Sequence, residues 1–223
     1  MTDYTLHDTD TEDIDTLLIS IEKSFGIKFG KTELAHIATF GELCDHIANR
    51  IPLEHSDDCT TQQAFYKLRK AISSIFKIDS ETVSTDRQLI DIFPRQKRRT
   101  MMVELEKHLG FKLNLLRAPH WVTLILLILL PASLVGLYFH WQTGVSGLIF
   151  SLCGLIVTNK IGIELEVRTV GELAKKMTGE NYLKSRRNSN TFNKNEIEKV
   201  LTDLFSYELG LDKSKLSRDA KFV

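Results

Sequence analysis

Cysteine is scarce in this chain, and what there is does not pair. Cys44, Cys59 and Cys153 are an odd number at unrelated spacings, which excludes a disulfide framework. Metal-ligand spacing is missing too. Cys44 and His46 are two positions apart on helical sequence and face different ways, while His55 and Cys59 stand in a polar stretch with Asp57 and Asp58, so no metal is expected. No nucleophile beside a base, no acid/base pair and no glycine-rich phosphate loop stands out, so the sequence does not read as an enzyme. The start Met1-Thr2-Asp3-Tyr4 lacks the basic region and the short apolar core of a signal peptide, and secretion is not expected. Net charge is also lacking, with 29 Lys plus Arg against 29 Asp plus Glu. That balance hides an asymmetry: residues 1 to 60 hold thirteen acids and four bases, so the remainder is basic and attraction between the two ends is expected.

The most consequential absence is of charge between Trp121 and Val157. No Asp, Glu, Lys, Arg or His occurs from Trp121 to Phe139, and the run is nearly all Leu, Ile, Val and Ala, long enough to cross a bilayer core as a helix. A second arm from about Gly144 to Val157 is shorter and carries Gly147 and Gly154; it reaches spanning length when Trp141 to Gly144 are counted with it. A buried hairpin in a soluble core is the alternative, and so long a lipid-like run is costly to cover in a chain of this size. Basic residues flank the run: Arg95, Lys97, Arg98, Arg99, Lys107, Lys112 and Arg117 before it, and Lys160, Arg168, Lys175 and Lys176 after it. The turn His140-Trp141-Gln142-Thr143-Gly144 has no Lys or Arg. By the positive-inside rule the expected topology is a multi-pass inner-membrane protein with both termini cytoplasmic. Trp121 and Trp141, at opposite ends of the first span, suit the membrane interface.

The soluble sequence repeats itself in pieces. Phe25-Gly26-Ile27-Lys28-Phe29 matches Leu109-Gly110-Phe111-Lys112-Leu113, and Thr39-Phe40-Gly41-Glu42-Leu43 matches Thr169-Val170-Gly171-Glu172-Leu173, in the same order. Gly26 and Thr39 are thirteen positions apart but Gly110 and Thr169 fifty-nine, so the second copy carries an insertion of about forty-six residues that contains the hairpin. A third match joins Ile78 to Leu89 with Leu211 to Phe222 without gaps. Each follows helical spacing: Phe65, Leu68, Ile72, Ile75 and Phe76 in one, and Ile197, Val200, Leu201, Leu204 and Phe205 in the other. Thr39 and Thr169 each stand where an N-cap hydroxyl belongs, with Glu42 and Glu172 placed to complete a capping box.

These pieces, in this order, resemble the acyl carrier protein family, the phosphopantetheine-binding four-helix bundles. Leu216 to Val223 is similar to the family's connector after helix one, Ile21 to Ile27 to the end of helix two, and Thr39 to Ile47 to helix four. The resemblance implies an all-α fold: carrier-like four-helix bundles with an inserted two-helix transmembrane hairpin. It also implies a serine at the start of helix two, whose oxygen is esterified to the phosphate of the arm where the helix dipole favours negative charge. This sequence departs from the family there. The slot falls at Thr11, within Asp10-Thr11-Glu12, in the first copy and near Arg95 or Gln96 in the second. Threonine adds a methyl group, and Glu12 replaces an apolar family residue, so no phosphopantetheine is expected. The one Asp-Ser pair, Asp79-Ser80, lies in a connector and is followed by Glu81.

At the second slot, Phe93-Pro94-Arg95-Gln96-Lys97-Arg98-Arg99 places a proline where a helix start tolerates it and four cations against the macrodipole. Either a solvated basic face or an anionic partner satisfies this. The partners that fit are anionic lipid headgroups, the acidic surface of a carrier protein or this chain's own acidic residues 1 to 60, with Arg95, Lys97, Arg98 and Arg99 as the contact residues. Nucleic acid is not expected, because the patch is short and lacks interleaved aromatics apart from Phe93.

Polar linkers at Pro52 to Thr61 and Asn181 to Asn193 divide the chain. Residues 6–51 read as carrier-like helices two to four, 62–178 as a carrier-like module interrupted by the hairpin 121–157, and 194–223 as helix one and its connector, complementing 6–51. An apolar face on either fragment alone would stay wet, so the fragments are expected to dock within one chain or between chains, the latter giving a homo-oligomer through exchanged termini. The expected role is a membrane-anchored, non-catalytic scaffold or partner of lipid-synthesis enzymes in fatty-acid or polyketide-type synthesis. The alternatives are a genuine carrier with an unorthodox acceptor and an unrelated small membrane adaptor or sensor.

Overall fold

Apolar residues at three- and four-residue spacing fold most of the chain into helices, seen in a computed structural model that describes residues 11–30 and 32–222. The side chains of Thr11, Glu12, Asn159 and Lys160 lie outside the described residues, as do residues 6–10 of the first expected module and Val223 of the last. In chain order the elements begin α1 (Thr11–Phe25), α2 (Phe40–Arg50), β1 (Glu54–His55), α3 (Thr60–Phe76), α4 (Leu89–Ile92), α5 (Arg98–Leu109) and β2 (Leu116–Arg117). They continue with α6 (His120–Phe139), α7 (Trp141–Lys160), β3 (Glu164–Leu165), α8 (Val170–Glu180), α9 (Tyr182–Ser185), β4 (Thr191–Phe192) and α10 (Ile197–Leu209). The chain is all-α in character, and its described strands are two residues long.

Two compact units result, one of the residues up to Asp86 together with those from Val170 onward, the other of Arg87–Thr169. In the first, one core gathers Leu17, Ile21 and Phe25 of α1, Phe40, Leu43 and Ile47 of α2, and Ile197, Leu201, Leu204 and Phe205 of α10, all buried. Phe40 meets Phe205 edge to face at 5.1 Å. The segment after α10 returns to α2: the Phe40 amide donates to the Ala220 carbonyl at 2.8 Å, and the Phe222 amide to the Ala38 carbonyl at 3.0 Å. Beside this core α3 packs on α8. The Ser24 hydroxyl, buried between α1 and α8, donates to the Gly179 carbonyl at 2.5 Å and accepts from the Tyr182 amide at 2.9 Å.

The stretch Asn181 to Asn193, expected as a linker too polar to bury itself, is buried at both ends, while Arg187 to Asn190 stay exposed. β4 pairs in parallel with β1, Glu54 facing Thr191 and His55 facing Phe192. Arg186 is almost fully buried. Its Nη1 donates to the Thr60 hydroxyl at 2.6 Å and to the Asp58 carbonyl at 3.2 Å, and its Nε to the Thr191 hydroxyl at 3.2 Å. The Tyr182 hydroxyl accepts from the Asn193 amide at 2.9 Å, and burial pushes that phenol's pKa up. Most of these buried donors and acceptors satisfy one another, while the Arg186 Nη2 is shielded from solvent without a hydrogen-bond partner.

In the second unit α6 and α7 form an antiparallel pair. Both are long and apolar enough to cross a membrane, and in each span only 11% of the residues are buried. The expected five-residue turn shrinks to His140, whose extended backbone separates the helices (φ −146°, ψ 101°). Trp141 to Gly144 already belong to α7. Its glycines are contacts rather than breaks. A Cβ added to Gly144 would lie 2.4 Å from the Leu137 amide nitrogen, one on Gly147 2.4 Å from the Ser133 hydroxyl, and one on Gly154 2.8 Å from a Leu126 methyl. Small residues in this register let two apolar helices approach closely.

Candidate functional site

The sites expected from sequence fall at two helix starts and at the ends of the hairpin. Local geometry recurs at both helix ends that precede Ile27 and Phe111. Gly26 and Gly110 are left-handed (φ +64° and +80°), the conformation that ends a helix cheaply when there is no side chain. Eighty-four positions separate Glu22 from Glu106, and each carboxylate accepts an amide seven residues on, Phe29 at 2.6 Å and Leu113 at 2.7 Å. The Phe29 amide holds the Glu22 carboxyl below its ordinary pKa.

The correspondence extends to the connectors. The Gly41 amide donates to the Arg218 carbonyl and the Gly171 amide to the Thr85 carbonyl, both at 2.8 Å. Thr39 bridges Lys221, and Thr169 bridges Gln88. Asp79 and Asp212 each accept the amide two residues on, Glu81 at 3.1 Å and Ser214 at 2.9 Å. Thr39 and Glu42 form a reciprocal capping box. Two copies of one local architecture are therefore present, matched residue by residue.

Against this background the two slots differ. α1 begins at Thr11, whose side chain lies outside the described residues. α5 begins at Arg98, three positions later than the residue corresponding to Thr11. Arg95, Gln96 and Lys97 form a turn closed by the Lys97 amide on the Pro94 carbonyl at 3.0 Å. Only Arg98 and Arg99 of the four expected cations stand in a first helical turn, which contains no acid.

These four cations do not form one face. Arg95, Lys97 and Arg99 are exposed, and Arg95 pairs with Glu164 at 3.1 Å. Arg98 is buried: its Nε donates to the Phe93 carbonyl at 3.0 Å and its Nη1 to the Ile163 carbonyl at 2.7 Å. Burial lowers its pKa. Arg98 ties the start of α5 to the chain leaving α7, and the basic face consists of Arg95, Lys97 and Arg99.

At the root of the hairpin, β2 pairs antiparallel with β3, Leu116 facing Leu165 and Arg117 facing Glu164. Arg117 also pairs with Glu166. Gly162 passes so close that an added Cβ would lie 2.3 Å from the Arg117 carbonyl carbon. Trp121 and Trp141 are both exposed, in the first turns of α6 and α7. Since α6 has 20 residues, the two indoles are separated by about 30 Å along its axis, the thickness of a bilayer's hydrocarbon core.

No group of three His, Cys, Asp or Glu side chains able to hold a metal occurs among the described residues. Cys44 is buried, and desolvation pushes its thiol up to about 12, far from a reactive thiolate. Sequence reasoning missed the Arg186 and Tyr182 network and the burial of Arg98, because each depends on partners distant in sequence.

Comparison with known proteins finds no matching family model, no matching curated protein and no matching solved structure.

Proposed function

We propose that this protein is a membrane-anchored, non-catalytic scaffold built from two degenerate acyl-carrier-like bundles. Helix one and its connector are α10 with residues 211–222 in one bundle and α3 with residues 78–89 in the other; α6 and α7 are a transmembrane hairpin inserted into the second. The observation that carries the reading is the pairing of Gly41 with Arg218 and of Gly171 with Thr85, identical in distance and aligned in sequence. The sparing burial of both spans supports a lipid environment over a soluble core. The segments before and after the hairpin are assigned to the cytoplasm by their Lys and Arg.

No phosphopantetheine is assigned, because neither Thr11 nor Arg95 offers the serine hydroxyl that the arm requires. Without an arm the bundles act by contact, mimicking or binding an acidic carrier protein during acyl-chain synthesis. The exposed Arg95, Lys97 and Arg99 supply the charge for that partner or for anionic headgroups at the bilayer.

The test uses the full chain in nanodiscs of neutral lipid. An acyl carrier protein bearing its arm is titrated in, and intact mass is read before and after incubation with a phosphopantetheinyl transferase. Binding that weakens at least tenfold when Arg95, Lys97 and Arg99 all become Glu, with no added mass, supports the scaffold. Mass added at Thr11 identifies a working carrier instead. Absence of both points to an adaptor of another kind.

A further inference from the structure

The two copies also differ at the groove between helix one and its connector. In the first copy, at residues of α10 and the 3-10 turn Lys213–Lys215, that groove is bridged. Asp203 pairs with Lys213 across it, and the Ser206 hydroxyl donates to the Leu211 carbonyl at 2.7 Å. The positions 133 residues earlier are Lys70, Ser80 and Ser73. The bridging acid has become a cation and its partner a hydroxyl, so no ion pair is available. The Ser73 Oγ is shielded from solvent and has no hydrogen-bond partner, a state that costs free energy unless something fills it.

The result is a groove of about 450 Å³ between α3 and the 3-10 turn Ser80–Thr82, lined by Tyr66, Arg69, Lys70, Ser73, Ser74 and Ser80. The groove is shallow and open to solvent. None of the six lining residues is acidic, two are cationic, and three are serines. Arg69 lies over the Phe65 and Tyr66 rings, 5.6 Å and 5.0 Å from their centroids, which fixes one cation at the wall while its guanidinium edge keeps donors to spare. Tyr66 is 38% exposed and adds an aromatic surface.

We propose that this groove binds a phosphate ester: Lys70 and Arg69 meet the charge, the Ser73 and Ser80 hydroxyls donate to phosphate oxygens, and the Tyr66 ring covers an apolar body. Hydroxyls with cations are the donor set that a tetrahedral anion requires. The inference does not depend on the carrier-like reading, since it rests on the comparison between two grooves of one chain.

The experiment titrates the full chain, in nanodiscs of zwitterionic lipid, with phenyl phosphate by calorimetry, then with inorganic phosphate, and repeats the first titration in discs containing phosphatidic acid. Saturable binding of phenyl phosphate, tighter than that of inorganic phosphate, is expected. Competition by phosphatidic acid identifies a lipid headgroup as the source, and its absence a soluble ester. The double variant Lys70→Asp with Ser80→Lys rebuilds the bridge of the first copy and should weaken binding at least tenfold. Ser73→Ala, which removes a hydroxyl with no protein partner, should weaken it at least threefold without lowering the melting temperature. No saturable binding, or equal binding by the native chain and Ser73→Ala, overturns the proposal.

Discussion

The Gly41 amide donates to the Arg218 carbonyl at 2.8 Å, joining residues 177 positions apart in sequence at a contact too close for any side chain. A Cβ on Gly41 would stand 2.8 Å from that carbonyl oxygen. Around the same contact the Arg218 guanidinium pairs with Asp45 and with Glu198, each at 2.6 Å, so one residue of the returning segment holds both α2 and α10. The ion pairs are exposed and contribute little by themselves. The backbone contact and the core beneath it decide the geometry.

Gly41→Val should therefore loosen the returning segment from α2. Limited proteolysis is expected to cut near residues 211–222 in the variant while sparing α3 and α8. Gly110→Ala makes a useful control. Nothing lies within 4 Å of its added Cβ, so its cost is conformational alone, about 1–2 kcal/mol for a left-handed backbone. If the two variants are equally resistant, the Gly41 contact is not what holds the segment.

Leu201 is fully buried among α1, α2 and α10 side chains. Leu201→Ala should cost about 2–5 kcal/mol, the usual range for truncating a core leucine. Urea titration followed by circular dichroism reads the change. Ile19→Ala, at a residue 65% exposed, should stay within about 0.5 kcal/mol.

Acid should weaken the fold through carboxylates that cap backbone amides. Glu42 is held below its ordinary pKa of 4.5 mainly by the Ala38 and Thr39 amides, and Glu22 and Glu33 likewise by the Phe29 and Gly30 amides. A carboxyl whose folded pKa is depressed binds fewer protons than in the unfolded chain, so stability is present above about pH 4.5 and falls as the pH drops toward the lower folded values. Glu42→Gln should flatten that acid limb, measured as melting temperature against pH from 7 to 3. An unchanged slope in the variant would assign the limb to other groups.

Much of this organisation was legible in the sequence, for a physical reason. Left-handed glycines, cap threonines and turn aspartates act within a few residues, so Gly26 and Gly110 or Asp79 and Asp212 leave the same mark in both copies. The helices themselves follow from apolar spacing, as with Ile197, Leu201, Leu204 and Phe205. What stayed hidden depends on distant partners. Arg98 reads like its neighbours Lys97 and Arg99 until the Ile163 carbonyl is placed beside it. Arg186 reads as part of a polar linker until Thr60 and the Asp58 carbonyl take its donors. The glycines of α7 read as weaknesses until α6 lies against them.

Those glycines give a test of the hairpin. Gly144→Leu places atoms where the Leu137 backbone stands and should separate α6 from α7, whereas the Cβ added by Gly136→Ala meets Gly144 at an ordinary 3.7 Å. Melting in detergent should fall for the first and hold for the second. For the proposed topology, an introduced cysteine at Gln142 should react with a membrane-impermeant reagent only from the far side of the membrane, and one at Asn188 only from the cytoplasmic side. Reaction of both from one face would remove the hairpin's spanning role.

Arg98 and Arg99 are adjacent and should behave oppositely. Replacing Arg98 by Ala removes its hydrogen bonds to the carbonyls of Phe93 and Ile163 in the second unit, at about 1–3 kcal/mol in all. Replacing Lys97 or Arg99, both exposed, should leave stability within about 0.5 kcal/mol but weaken attraction to an anionic surface by about 1 kcal/mol per charge. The measurement pairs chemical denaturation with binding of the full chain in neutral-lipid nanodiscs to vesicles containing phosphatidylserine, at low and at physiological salt. Salt-sensitive loss of binding for Lys97→Ala and Arg99→Ala, with loss of stability confined to Arg98→Ala, is the expected pattern. Were Arg98→Ala as stable as the others, its two carbonyl bonds would not hold α5 to the end of the hairpin. Were all three to bind vesicles like the native chain, the basic turn would be a solvated face with no anionic partner at the bilayer.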